Sequence, residues 1–193
     1  GVAVGAAIGL AAGYRGGRFD SLVMRLLDVA IAFPQLVLLM LFVSMLGPSK
    51  VLIVCLVALA WIPGVARVTR GMTTTIVTRE YVEAADVLGY SRRSIVVGEI
   101  LPNVATPLLV EYGLRVSWSI GVIAAASFLG LGVQVPEADW GLMINENRNG
   151  LVTQPWGVIA PVLLIALFTV GSNLIADGIG RAVAGDELTG GSR

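Results

Sequence analysis

Three uninterrupted runs without a charged side chain constrain this chain more than any other feature: 21 residues between Asp28 and Lys50, 21 between Arg115 and Glu137, and 28 between Arg148 and Asp177. A helix rises about 1.5 Å per residue and needs roughly 20 residues to cross a hydrocarbon layer about 30 Å thick, so each run is long enough to span a membrane. Residues 51–66 form a shorter run of 16, but Arg67 and Arg70 can lay their stems along the helix and put their charges at the interface. Residues 1–14 are uncharged too, and Gly13-Tyr14-Arg15-Gly16-Gly17-Arg18 reads as a helix end followed by a turn. Composition agrees: 56% of the residues are hydrophobic and 13% charged, against about 45–50% and about 25% in soluble domains. The fold class expected is an all-α membrane protein, a polytopic helix bundle forming one transmembrane domain over residues 1–193. Its spans fall at about 1–14, 27–47, 50–70, 104–131 and 157–177. The chain opens inside an apolar run without Met, so the first span is expected to be cut short and an upstream segment to precede it.

Several chemistries are excluded. The chain has no histidine and one cysteine, Cys55, which removes a His/Cys zinc site, a Ser-His or Cys-His nucleophile pair and an internal disulfide. Thirteen Lys and Arg balance thirteen Asp and Glu, leaving no basic excess for nucleic acid. No G-x-x-x-x-G-K-[ST] loop occurs, and the only lysine is Lys50, so the chain cannot cradle ATP in that way.

Arginine placement orients the spans, because cytoplasmic loops collect cations. Arg15, Arg18 and Arg25 surround the first connection, and Arg67, Arg70, Arg79, Arg92 and Arg93 flank or occupy the third. These two connections, near residue 17 and over 73–103, are expected to be cytoplasmic. Those near residue 48 and over 132–156 are expected to be external. Gly1, Gly5, Gly9 and Gly13 repeat every four residues, and Gly113, Ser117, Gly121 and Ala125 do the same, so both helices offer a face on which a neighbour can pack closely. Pro34 and Pro63 fall inside the second and third spans, where each removes a helical hydrogen bond.

The third connection, about 73–103, is too polar to span and too patterned to be a linker. Glu80 to Leu88 favours helix, Gly89 supplies a permissive C-terminal turn, and Ser91 can cap a second helix running from Arg92 to about Ile100, which Pro102 closes. The result is a two-helix knob. Ala84 and Ala85 leave its backbone near the surface, and Glu83 offers a carboxylate to a partner's donors. From the residues alone, a docking knob and a solvated amphipathic loop are equally compatible with this pattern.

Glu83-Ala84-Ala85, then Gly89, then Leu101-Pro102 resemble the EAA signature of binding-protein-dependent ABC importer permeases, with Ile100 beside the Leu-Pro pair and Glu99 one place earlier where the family usually has isoleucine. Similar runs are Phe19-Asp20 with Met24-Arg25 and Asp28, Ala32-Phe33-Pro34, Leu46-Gly47-Pro48-Ser49, and Ser127-Phe128-Leu129-Gly130-Leu131-Gly132 through Pro136 to Trp140-Gly141. The likeness extends over essentially the whole chain and is nearest the second, C-type permease of dipeptide and oligopeptide importers. It implies a multi-pass subunit of the bacterial inner membrane, surrounded by lipid, paired with a second homologous permease and served by two ABC ATPase subunits and an extracytoplasmic substrate-binding protein. The cargo it implies is peptide, with nickel or another small solute as the alternative. It also implies no catalysis and no cofactor in this chain, ATP and Mg being held by the ATPase. The docking residues implied are Glu83, Ala84, Ala85, Gly89, Ile100, Leu101 and Pro102.

A secondary transporter or channel would instead need titratable groups within the membrane. The candidates are Asp28 and Asp177, which fall at the cytoplasmic ends of their spans, and Glu111 with Arg115 at helical i,i+4 spacing, either a buried ion pair or a polar lining of the translocation path.

Overall fold

The computed structural model describes residues 1–190, with side chains through Arg181. All regular structure among the described residues is helical: α1 (Val2–Arg15), α2 (Gly17–Ile31), α3 (Gln35–Leu46), α4 (Lys50–Val77), α5 (Glu80–Val87), α6 (Arg92–Ile95), α7 (Leu101–Phe128), α8 (Trp140–Asn147) and α9 (Trp156–Gly190). Helices over Lys50–Val77, Arg92–Phe128 and Trp156–Arg181 are each long and apolar enough to cross a membrane, and the interrupted pair α2 and α3 makes a fourth candidate. The chain is a multi-pass helical membrane protein. At 14 residues α1 is apolar but short of a span.

Two expectations about helix boundaries change. The stretch expected as one span over 27–47 is two helices, because Pro34 lacks an N–H and pushes Phe33 out of the helical region, then starts α3 in an extended conformation (φ −60°, ψ 124°). Pro102, expected to close the second knob helix, lies inside a continuous helix from Arg92 to Phe128. The turn before it, Val96–Ile100, widens to a π-helix in which the Leu101 N–H reaches the Val96 carbonyl. That shift in register accommodates the proline ring without ending the helix. Further back, α4 runs on to Val77 through Thr73-Thr74-Thr75, a segment of modest helix propensity, and the hydroxyls of Thr73, Thr74 and Thr75 donate to carbonyls three or four residues earlier within it.

The chain packs as two units. The first comprises residues 1–32, 60–112 and the end of α9. Here α1 lies against α4 with almost no side chain between them: a Cβ on Gly5 would stand 2.8 Å from the Ile62 carbonyl oxygen, one on Gly13 would stand 2.7 Å from the Thr73 Cβ, and one on Gly9 would collide with the Ala66 carbonyl. The period-four glycine face therefore does what its spacing predicts. α4 also holds α2, by two ion pairs. Arg70 donates bidentately to Asp20 at 2.8 and 2.6 Å, and Arg67 donates to Asp28.

The second unit comprises residues 33–59 and 113–177. Its small-residue face works only in part: Gly113 seats on Ala176 and Ser117 is buried, whereas Gly121 has no neighbour within 4 Å. At the top of α7, Gly130 (φ +79°) lets the Leu131 and Gly130 amides return to the carbonyls of Ala126 and Ser127. The connection expected as an external loop over 132–156 is partly helical, over 140–150. Asp139 caps α8 by accepting from the Leu142 amide at 3.0 Å. Gly141 lies on the Ala124 backbone, Trp140 packs on Phe168 at 6.3 Å, and Lys50 pairs with Glu137 at 2.5 Å.

Candidate docking site

The knob lies wholly within the first unit, and its shape follows from three local signals. α5 ends at Val87 with Leu88 as its C-cap, and Gly89 takes φ +78°, a conformation that side chains resist. The Gly89 amide donates to Asp86 and the Tyr90 amide to Ala85, at 3.0 and 3.1 Å, closing the carbonyl end of the helix. Ser91 then opens α6, its hydroxyl accepting from the Ser94 amide at 3.2 Å. Gly89 and Ser91 play the parts their positions in the sequence predict.

Behind this turn sits a small apolar core that fixes the knob to the membrane helices. Val82, Ala85, Ile95, Ile100 and Val104 are all at most 5% exposed, and Leu10 of α1 and the partly buried Met72, Ile76 and Val77 of α4 pack against them. Ala85 and Ile100 therefore face inward, and the expectation that both alanines hold the backbone near the knob's surface applies to Ala84 alone. An Ala at 85 is the size that lets α5 approach α6 and α7. Glu83, Ala84, Gly89, Leu101 and Pro102 are exposed.

The outer surface holds residues that the sequence reading passed over. Val87 is 87% exposed and Leu88 72%, with Tyr81 and Tyr90 beside them, also exposed. Apolar side chains this exposed at the tip of a polar knob offer a surface that a partner could cover. The signal was present in the spacing: at 100° per residue Val87 falls on the side of α5 opposite Val82 and Ala85.

Beside that surface is a cavity of about 480 Å³ where the end of α1 (Tyr14, Arg15), the end of α4 (Val77) with the following Thr78, α5 (Val82, Glu83, Asp86) and α6 (Arg92, Ile95) meet. Glu83 and Asp86 bring carboxylates to its wall, and Arg15 and Arg92 bring guanidinium groups. Such a wall can take a side chain of either charge. Arg15 is held in place from outside by the Phe19 ring, 5.2 Å from its guanidinium carbon. Glu111 and Arg115 lie apart from this site on α7, each half-buried and each already engaged by a partner.

Comparison with known proteins adds to this geometry. The model of the binding-protein-dependent transport system inner membrane component family matches residues 5–185. The glutathione transport system permease protein GsiD of Pectobacterium atrosepticum is 37% identical over 95% of this chain and 61% of its own length. The probable D,D-dipeptide transport system permease protein DdpC of Escherichia coli is 37% identical over 91% and 59%. The oligopeptide transport system permease protein OppC of Haemophilus influenzae is 36% identical over 94% and 58%. The chain thus spans about three fifths of the length of the curated relatives it matches.

Proposed function

Because the chain belongs to the family of binding-protein-dependent transport system inner membrane components, we propose that it is a permease subunit of an ATP-driven importer of the bacterial inner membrane. It forms half of the translocation path with a second, homologous permease. Two ATPase subunits bind and hydrolyse ATP with Mg, and an extracytoplasmic binding protein delivers the cargo. The chain itself performs no catalysis and holds no cofactor. Peptides are the cargo class proposed, since the permeases GsiD, DdpC and OppC are named for glutathione, D,D-dipeptides and oligopeptides.

One observation carries the reading: the EAA-like segment forms a rigid knob whose core is continuous with α1, α4 and α7. In the mechanism proposed, the ATPase covers Tyr81, Ala84, Val87 and Leu88 and contacts Glu83, with one of its side chains entering the adjoining cavity. Gly89 sets the angle between the two knob helices. Ala85 and Ile100 support docking from within, and Leu101 and Pro102 carry the motion into α7. Closure of the ATPase pair then moves the knob as a lever. Glu111 and Arg115 are proposed to line the path or to brace it.

The test is uptake in cells expressing the full-length permease pair with its ATPase and binding protein. The proposal expects uptake to stop when ATP is depleted and to continue when the proton gradient alone is collapsed. The reverse pattern would identify a secondary transporter and refute it.

A further inference from the structure

α2 separates its charges by face. Its two acids, Asp20 and Asp28, are taken by Arg70 and Arg67 of α4. Its two arginines, Arg18 and Arg25, are exposed, and neither has an acidic partner among the described residues. At 100° per residue, Arg18, Leu22, Arg25 and Val29 (i, i+4, i+7, i+11) fall in one stripe along the helix. In that stripe Leu22 is 59% exposed and Val29 62%, and Leu26 alongside is exposed as well. A shallow groove of about 560 Å³ opens there, lined by Gly17, Arg18, Ser21, Leu22 and Arg25. A wholly apolar stripe would suit acyl chains alone, and a wholly basic one would suit solvent. Two unpaired guanidinium groups alternating with aliphatic side chains match a ligand that is anionic at one end and aliphatic at the other.

We propose that this stripe of α2 is a binding site for an anionic phospholipid of the cytoplasmic leaflet, the phosphate held between Arg18 and Arg25 and the acyl chains lying along Leu22, Leu26 and Val29. Arg67 and Arg70 serve the site indirectly, by drawing Asp28 and Asp20 away from the headgroup. The lipid would hold α2 at the membrane surface, just ahead of the break at Pro34 where the chain turns into α3. The proposal requires only that the chain lie in a membrane, and stands whether or not the cargo is a peptide.

The experiment reconstitutes the full-length protein with its partner subunits in bilayers, with bimane attached through Ala30→Cys in a Cys55→Ser background. Position 30 is exposed and follows Val29 at the end of the stripe. Quenching by brominated phosphatidylglycerol is compared with quenching by brominated phosphatidylcholine. Two arginines near an anionic headgroup should favour phosphatidylglycerol on the order of tenfold. The double variant Arg18→Gln/Arg25→Gln should remove that preference, and Arg18→Lys/Arg25→Lys should keep most of it. Equal quenching by the two lipids, a preference that survives the double glutamine variant, or protection from both lipids because a protein segment covers the stripe would each overturn the proposal.

Discussion

Ala84 and Ala85 are adjacent, chemically identical and opposite in placement, so replacing each with leucine separates what holds the knob together from what the knob touches. At 85 the added branch enters a core bounded by Val82, Ile95, Ile100 and Val104, where Ile100 and Val104 are fully buried. Overpacking of that kind costs about 1–3 kcal/mol. Because amides in a locally opening segment exchange in proportion to the opening equilibrium, this corresponds to roughly 5- to 150-fold faster hydrogen exchange. At 84 the side chain is exposed, and such substitutions change stability by about 0.5 kcal/mol or less. Exchange measured by mass spectrometry on peptides covering residues 80–100 of the full-length protein should therefore accelerate in Ala85→Leu and hardly change in Ala84→Leu. Equal acceleration in the two variants, or none in Ala85→Leu, would refute the inward placement of Ala85 and the lever built on it.

Gly89→Val must adopt φ near +78° or tilt α6 against α5; a local cost of about 1 kcal/mol or more is expected, read as weaker co-purification of the ATPase before any loss of the folded permease. Gly9→Val places a branched side chain against the Ala66 carbonyl, Thr69 and the Arg70 amide, so α1 should separate from α4 and a cysteine crosslink engineered between them should weaken, with a stability loss of about 1–3 kcal/mol. Asp20→Asn removes the acceptor pair that anchors Arg70; protease sensitivity around residues 16–31 should rise, whereas Asp20→Glu should restore much of the wild-type resistance.

Local rules were legible in the sequence wherever the chemistry itself is local. The glycine turn at 89, the Ser91 cap and the glycine face of α1 each follow from a few residues, and the structure keeps all three. Pro102 could not be placed this way, because whether a proline ends a helix depends on whether the preceding turn can widen, and the π-turn at Val96–Ile100 is held by packing of Ile95 and Ile100 in a core shared with Leu10. The inward side of Ala85 depends on the same distant partners. The pairs Asp20–Arg70 and Asp28–Arg67 join positions 50 and 39 residues apart, and nothing in the spacing within either helix connects them. α8 was hidden by its flank: Gly132, Pro136 and Asp139 read as loop, while the helix beyond is held by the Asp139 cap and by Asn145, whose side-chain amide donates to the Phe128 carbonyl. The resemblance carried by the EAA-like segment pointed to the candidate site, and the structure distinguishes its residues that face outward from those buried beneath them.

The central claim is that this knob couples an ATPase to the membrane helices, and the most direct test is cargo-stimulated ATP hydrolysis by the complete complex in proteoliposomes, with Glu83→Ala and Ala84→Leu in this chain. Both residues are exposed on the face proposed to meet the ATPase, so neither change should unfold the permease. The account predicts that basal hydrolysis survives while stimulation by the loaded binding protein, and uptake with it, falls severalfold or more in both variants. Full stimulation together with full uptake in Glu83→Ala and Ala84→Leu would contradict it.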